Sequence, residues 1–258
     1  MMIEATYADL TLLQFENLDQ EAGLTHAFTT RPQNYAPHRG MGKDKAIDAR
    51  RKVCDILGAS FDRLTSPAQV HNALILRIEE EDIGRGRDGR DSALPYVDGL
   101  VTDRPNLPMI LLSADCPLVC VYDPDRPAVG GCHASWLGTV GGITGQLVRR
   151  MLTEFGSRPE RLRAAITPSA GPCCYEVGHE VRRIARDTIS EADTFLIERN
   201  GQLFFDLWAA NRRQLTDAGL KEGNIETASL CSICDQRFWS HRRDGADAGR
   251  SALIVNLR

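Results

Sequence analysis

Apolar positions along the chain follow two alternating rhythms. Over 45–58, Ile47, Val53, Ile56 and Leu57 recur at helical spacing. Over 140–155, Val140, Ile143, Leu147, Met151, Leu152 and Phe155 form one longer helical stripe. A third helix is predicted over 177–189. Short β-rich runs lie between: ALILRI over 73–78, two runs within LPMILLSADCPLVCVYD over 107–123, AVGGCHA over 128–134, residues 164–167, and SALIVNL over 251–257. AVGGCHA is small and apolar without alternation, the pattern of a buried strand. Asn200-Gly201 between LIER and QLFF predicts a tight hairpin. Asp206 predicts the N-cap of a helix running through Leu215. There is no sustained βαβ rhythm, so the expected class is α+β with layered, mixed sheets.

Length and charge narrow the function classes. The 258 residues suit one domain over 1–258, with no repeat or low-complexity segment. A net charge of −4 argues against broad binding to nucleic acid or an anionic membrane, which needs a basic face. The first residues, MMIEATYADLTLLQFENL, carry acid where a secretory signal carries base. No apolar run approaches the ~20 residues of a bilayer span. The expected location is therefore cytoplasmic, and the eight cysteines are expected to be reduced thiols or metal ligands. The polar run DIGRGRDGRD over 82–91 reads as a solvated loop. Arg85, Arg87 and Arg90 make contact with an anion its second reading.

Candidate chemistry centres on His71, Cys116 and His133. Each lies at the edge of a predicted strand, where side chains from neighbouring strands can meet over one cleft. They are 45 and 17 residues apart, which matches no compact zinc finger. Placement alone leaves three readings. The plainest is two unrelated histidines and a buried cysteine. The second is a metal site of two imidazoles and one thiolate with an open position. The third is a cysteine nucleophile with a histidine base.

Other residues carry less. Asp115, and secondarily Asp98, are candidate hydrogen-bond partners for a ligand histidine. Cys231-x-x-Cys234 is half of a structural zinc site, and no second pair follows at finger spacing. Cys173-Cys174 would have to converge with it over long range, so all four are expected to be free thiols. Arg242, Arg243 and Arg250 form a cationic cluster suited to phosphate or carboxylate. Trp136, Trp208 and Trp239 are expected in the core, with Trp136 near enough to His133 to stack on a base.

An ordered series of motifs resembles a known family across nearly the whole chain. It runs through Leu24-Thr25-His26-Ala27-Phe28-Thr29-Thr30-Arg31, Gln69-Val70-His71, Asp98-Gly99-Leu100-Val101-Thr102 and Ser113-Ala114-Asp115-Cys116-Pro117. It continues in His133-Ala134-Ser135-Trp136-Leu137-Gly138 and Gly171-Pro172-Cys173-Cys174-Tyr175-Glu176-Val177-Gly178. It ends in Phe238-Trp239-Ser240-His241-Arg242-Arg243-Asp244-Gly245 with Gly249-Arg250. The family is the YfiH-like, laccase-domain group, also called multicopper polyphenol oxidase, peptidoglycan editing factor and zinc-dependent purine nucleoside phosphorylase. The resemblance implies an α/β/β/α layered domain. It also implies zinc ligands at His71, Cys116 and His133. The sequence departs from the family at three places. Ser135-Trp136-Leu137-Gly138 stands where Gly-Trp-Arg-Gly is usual, Pro32-Gln33-Asn34 replaces a Gly-Gly stretch, and residues 38–43 match loosely.

The resemblance implies a metal-dependent enzyme of small molecules, carrying out phosphorolysis of adenosine, inosine or methylthioadenosine and deamination of adenosine. His71, Cys116, His133 and Asp115 would be catalytic. Arg31, Arg243 and Arg250 are the cations available for phosphate, since Leu137 removes the family's arginine. A second reading is a hydrolase of peptidoglycan precursors with Cys116 as nucleophile. Polyphenol oxidation is weaker physically: a coupled copper cluster needs many imidazoles, and the chain has six. Copper can still compete for the one His-Cys-His site. A binding protein that has lost turnover is the fourth reading.

Overall fold

The computed structural model describes residues 2–38 and 42–258. Residues 39–41 of the loosely matching 38–43 segment therefore lie outside the described residues. The chain runs β1 (Met2–Tyr7), β2 (Leu10–Phe15), α1 (Glu16–Asp19), β3 (Leu24–Thr29), α2 (Lys43–Ile56), β4 (Ile75–Arg77), β5 (Gly99–Thr102) and β6 (Met109–Ser113). It continues β7 (Leu118–Asp123), β8 (Ala128–His133), α3 (Trp136–Val140), α4 (Ile143–Phe155), β9 (Arg163–Ile166) and α5 (His179–Thr188). It closes with β10 (Leu196–Arg199), β11 (Gln202–Phe205), α6 (Leu207–Asp217), β12 (Ile225–Thr227), α7 (His241–Asp244) and β13 (Ser251–Leu257).

Two sheets face each other. One is five-stranded and antiparallel, in the order β1-β2-β3-β13-β6. The other is six-stranded, in the order β12-β9-β7-β8-β5-β4, with parallel pairs at both edges. Phe15, Phe28, Leu111 and Leu253 of the first sheet meet Leu118, Cys120, Tyr122 and Leu100 of the second in the central core. The outer face of the five-stranded sheet packs Leu12, Ile110 and Ile254 on Ala49 and Val53 of α2. The outer face of the six-stranded sheet packs Val101, Val119 and Val121 on Leu147, Val148 and Met151 of α4 and Leu215 of α6. The result is the α/β/β/α stack. No helix of the described residues is long and apolar enough to cross a membrane.

Local chemistry accounts for most boundaries. The stripe over 140–155 divides into α3 and α4 because Gly142 adopts φ +74°, which stops one helix and starts the next. Asn200 and Gly201 turn with φ +51° and +78°, and Arg199 pairs with Gln202 across a two-residue hairpin. Asp206 caps α6 by accepting from the Ala209 N–H at 3.0 Å. The strand β3 is buried along its whole length despite Thr25, His26 and Thr29, so it shows no alternation. Burial holds the His26 imidazole down at about 4. It is thus neutral and accepts the Phe15 N–H at 2.7 Å.

The glycines of β8 set the spacing of three layers. A Cβ at Gly130 would lie 2.7 Å from Leu147 Cδ1 and 2.8 Å from Val101 Cγ1, and one at Gly131 would lie 2.7 Å from Leu111 Cδ1. This strand ends at His133, so its seating places a site residue. We expect Gly130→Ala to destabilise the protein by about 1–3 kcal/mol through overpacking. The denaturation midpoint measures it, and an unchanged midpoint would mean that the layers are looser than described.

Candidate metal centre

The site is built around a buried carboxylate. Asp98 immediately precedes β5, the neighbour of β8, and is fully buried. Its Oδ2 accepts the N–H groups of Val70 and Asn72 at 2.8 and 3.0 Å. Its Oδ1 accepts the His71 N–H at 3.0 Å and lies 2.8 Å from His133 Nδ1. The turn carrying His71 is thereby wrapped round one side chain. That offsets the cost of left-handed backbone at Gln69 (φ +51°) and His71 (φ +63°). Burial opposes ionisation of Asp98, but His133 and the amide donors outweigh it and hold the carboxyl below its ordinary range. An ionised Asp98 keeps a proton on His133 Nδ1, so Nε2 is the nitrogen left for a metal ion or, without one, for a second proton.

Cys116 arrives on the turn between β6 and β7. That turn is fixed through Asp115, which has φ +98°. The Asp115 carboxylate accepts from Ser232 Oγ and the Arg242 N–H, both at 2.7 Å. The expected carboxylate partner of a ligand histidine is therefore Asp98 and not Asp115. Asp115 instead ties the Cys116 turn to the 232–242 segment. The signal for Asp98 in the sequence was a lone acid ahead of the apolar Gly99-Leu100-Val101 strand.

The three donors meet. Ligand atoms of His71, Cys116 and His133 lie within 4.8 Å of one another, and the two imidazoles stand edge to face with centroids 5.0 Å apart. Burial pushes the Cys116 thiol up, but the adjacent His133 and His71 outweigh it and bring it to about 6. Burial likewise pulls His133 down, whereas Cys116 and Asp98 raise it to about 9. Without a cation the two form a thiolate–imidazolium pair. Two imidazoles and a thiolate with a carboxylate behind one of them suit a divalent metal ion.

These residues line a cavity of about 390 Å³. Trp136 and Tyr175 add aromatic surface, and Arg90, Arg242 and Arg250 add charge. Arg242 stacks over the Tyr175 ring at 5.3 Å. Arg31 and Arg243, expected at phosphate, are placed elsewhere. Arg31 lies over Trp239 and pairs with Asp244. Arg243 pairs with Asp244 and donates to the carbonyls of Ser232 and Phe238. Leu137 is exposed and outside the cavity lining, next to Trp136, which lines it.

The 82–91 run is not merely a solvated loop. Gly86, Gly89 and Arg90 wall the cavity because the buried Arg50 of α2 donates to the carbonyls of Gly86 and Arg87 at 2.7 and 2.8 Å. That anchor is 36 residues away, beyond any local pattern. The expectation of four separate thiols is also corrected: Cys173, Cys174, Cys231 and Cys234 converge within 4.8 Å.

Two outcomes follow. In metal-stripped protein, alkylation of Cys116, followed by peptide mass spectrometry, should lose rate as pH falls through about 6 and level off above it. His133→Gln should move that midpoint up toward the ordinary thiol value of ~8.5. A wild-type midpoint already at the ordinary value would contradict the pairing. Asp98→Asn should weaken metal binding by about 10–100-fold in chelator competition, because the proton on His133 is no longer directed to Nδ1. Unchanged affinity would show that the carboxylate does not act through His133.

The sequence profile of the family described as multi-copper polyphenol oxidoreductase laccase matches residues 21–258. The purine nucleoside phosphorylase YlmD of Geobacillus stearothermophilus is 34% identical over 228 residues, covering 87% of this chain and 83% of that protein. The adenosine deaminase RL5 from an unknown prokaryotic organism is 31% identical over 256 residues, covering 93% and 97%. The crystal structure of YlmD from Geobacillus stearothermophilus superposes with a TM-score of 0.91 at 32% identity, covering 100% of both chains. With a profile that runs from Glu21 to the C-terminal residue, and a structure that superposes throughout, the chain belongs to this laccase-domain family.

Proposed function

We propose that this chain is a metal-dependent enzyme of purine nucleosides, cleaving them with phosphate or deaminating them. The observation that carries the reading is the convergence of His71, Cys116 and His133 on a cavity of nucleoside size. The names of relatives as purine nucleoside phosphorylase and adenosine deaminase support it. His71, Cys116 and His133 would hold the ion. Zinc suits this donor set, and copper competes for it. When bound, such an ion supplies Lewis acidity beside the substrate.

The remaining work falls to the chain. Asp98 holds His133 in one tautomer and orientation. Trp136 and Tyr175 offer flat surface to a purine. Arg90, Arg242 and Arg250 offer charge to phosphate. Asp115 fixes the Cys116 turn. Eight cysteines in a chain of 258 residues suit a reducing, cytoplasmic setting.

A cysteine-dependent hydrolase of peptidoglycan precursors is the second reading. Its support is the Cys116 thiol, held near 6 between two imidazoles, as a nucleophile requires. Metal removal separates the two. Activity that persists in stripped protein and dies on alkylation favours the cysteine. Activity restored only by metal favours the nucleoside reading. Polyphenol oxidation has less support: His26 is in the core and His179 is outside the cavity lining, so only His38 and His241 join His71 and His133 there, fewer imidazoles than a coupled copper cluster needs.

The direct test is a nucleoside panel with and without phosphate, with products identified and metal quantified on the same sample. No turnover of any purine nucleoside by metal-replete protein would overturn the proposal. Arg242→Ala should lower phosphorolysis about 10- to 150-fold relative to deamination, since a charge-assisted contact contributes ~1.5–3 kcal/mol. Arg31→Ala, outside the cavity, should leave the ratio of the two rates unchanged. Equal effects of both substitutions would mean that phosphate is not recognised in this cavity.

A further inference from the structure

The four converging cysteines lie outside the cavity lining and have no part in the chemistry above. Cys173 and Cys174 sit on the turn after β9, and Cys231 and Cys234 on the segment after β12. The two segments run together because Ser169 and Cys231 form a parallel bridge, with Ser169 N–H to Leu230 O at 3.1 Å and Ser232 N–H to Ser169 O at 2.9 Å. Gly171 allows the close approach: a Cβ there would lie 2.6 Å from the Trp208 ring and 3.2 Å from Cys231 Cβ.

We infer that Cys173, Cys174, Cys231 and Cys234 form a second metal site, a structural tetrathiolate site for zinc.

Four observations carry it. All four Sγ atoms lie within 4.8 Å of one another, with Cys234 Sγ 3.7 Å from Cys173 Sγ and 3.2 Å from Cys174 Sγ. A tetrahedron of Zn–S bonds of ~2.3 Å needs neighbouring sulfurs ~3.8 Å apart, so small shifts complete it. The donors are all soft thiols, with no imidazole or carboxylate, which selects a thiophilic ion. Gly171 N–H already points at Cys231 Sγ, at 3.3 Å, as a donor to a metal-bound thiolate does.

Two guanidinium groups flank the cluster. Arg243 donates to the carbonyls of Ser232 and Ile233 at 2.7 and 3.3 Å, and Arg199 to those of Pro172 and Cys173 at 2.5 and 3.2 Å. Four thiolates around one divalent cation leave two negative charges, which these groups offset. The thiol protons are released to solvent on binding. Cys173 and Cys234 are exposed, so an ion can reach the cluster.

The site would act as a clip. One segment leads directly into Tyr175 and the other into Arg242, the pair that stacks at the cavity wall. No sulfur of the clip is a ligand of the His71–Cys116–His133 group, so the two metal sites can be tested separately.

The test is metal content per chain in protein purified under reducing conditions, with X-ray absorption on the bound zinc. Wild type should hold about two ions, His71→Ala about one in an all-sulfur shell, and Cys174→Ser with Cys234→Ser about one in a mixed N/S shell. A wild-type protein holding one ion, lost in His71→Ala and kept in the serine double variant, overturns the inference. Disulfides among the four cysteines in freshly reduced, metal-replete protein also overturn it. Should the double variant fail to fold, wild type alone decides. Peptide-resolved alkylation of Cys173 and Cys234 should accelerate as a chelator removes the second ion. Alkylation at one rate throughout overturns the site.

Discussion

The buried carboxylate of Asp98 is the constraint on which the site depends. One side chain receives three successive backbone N–H groups, from Val70, His71 and Asn72, and also the ring of His133. A carboxylate sealed from water is costly unless its oxygens are matched. Here each oxygen has two donors, and the matching ties together two stretches that share no strand pairing. The His71 turn is held in a left-handed conformation that few residues adopt freely. Gln69 also ties the turn to Leu112, and Asn72 ties it to Tyr96, but the carboxylate is what joins the His71 backbone to the His133 ring.

The layers supply the rest of the geometry. β8 can lie between α4 and the opposing sheet only because Gly130 and Gly131 present no side chain to Leu147 or Leu111. That seating places His133 at the strand end, level with the β6–β7 turn carrying Cys116. The cavity then forms where the two sheets' connecting segments gather, walled by chain from 66–71, 86–93 and 241–250. Its charges come from those connections, and of the three candidate ligands His133 ends a strand whereas His71 and Cys116 sit on turns. Buried carboxylates thus position the turn-borne donors, Asp98 the His71 turn and Asp115 the Cys116 turn.

The fold was legible where the chemistry is local. The helices over 45–58 and 177–189, the Asn200-Gly201 hairpin, the Asp206 cap and the strands flanking Cys116 follow from spacing and turn residues. The resemblance supplied the layering and the ligand set. What escaped was non-local. β1 and β3 were not foreseen because one is an exposed edge and the other is buried with its threonines. Arg50 organises the 82–91 loop from inside α2, and nothing near Gly86 announces it. Arg243 looked like a free cation but donates to carbonyls of its own segment. The four cysteines failed the spacing rule because their pairing passes through a β-bridge at Ser169 and Cys231.

The two donor groups differ in a way that bears on what each can do. Two imidazoles and one thiol, with a neutral ring tuned by a carboxylate, leave a coordination position toward an aromatic and cationic cavity. Four thiols close a tetrahedron and leave nothing open. An ion in the first position can meet a substrate, whereas an ion in the second can only hold chain together. The chain it would hold carries Tyr175 and Arg242. A clip at the cysteines therefore bears on the first group by setting the wall opposite it, and on the His–Cys–His geometry only through Asp115, which bridges Ser232 and Arg242 to the Cys116 turn. That bridge makes Asp115 a positioning residue, its carboxylate linking the two clusters beside the backbone bond from the Ala170 N–H to the Asp115 carbonyl.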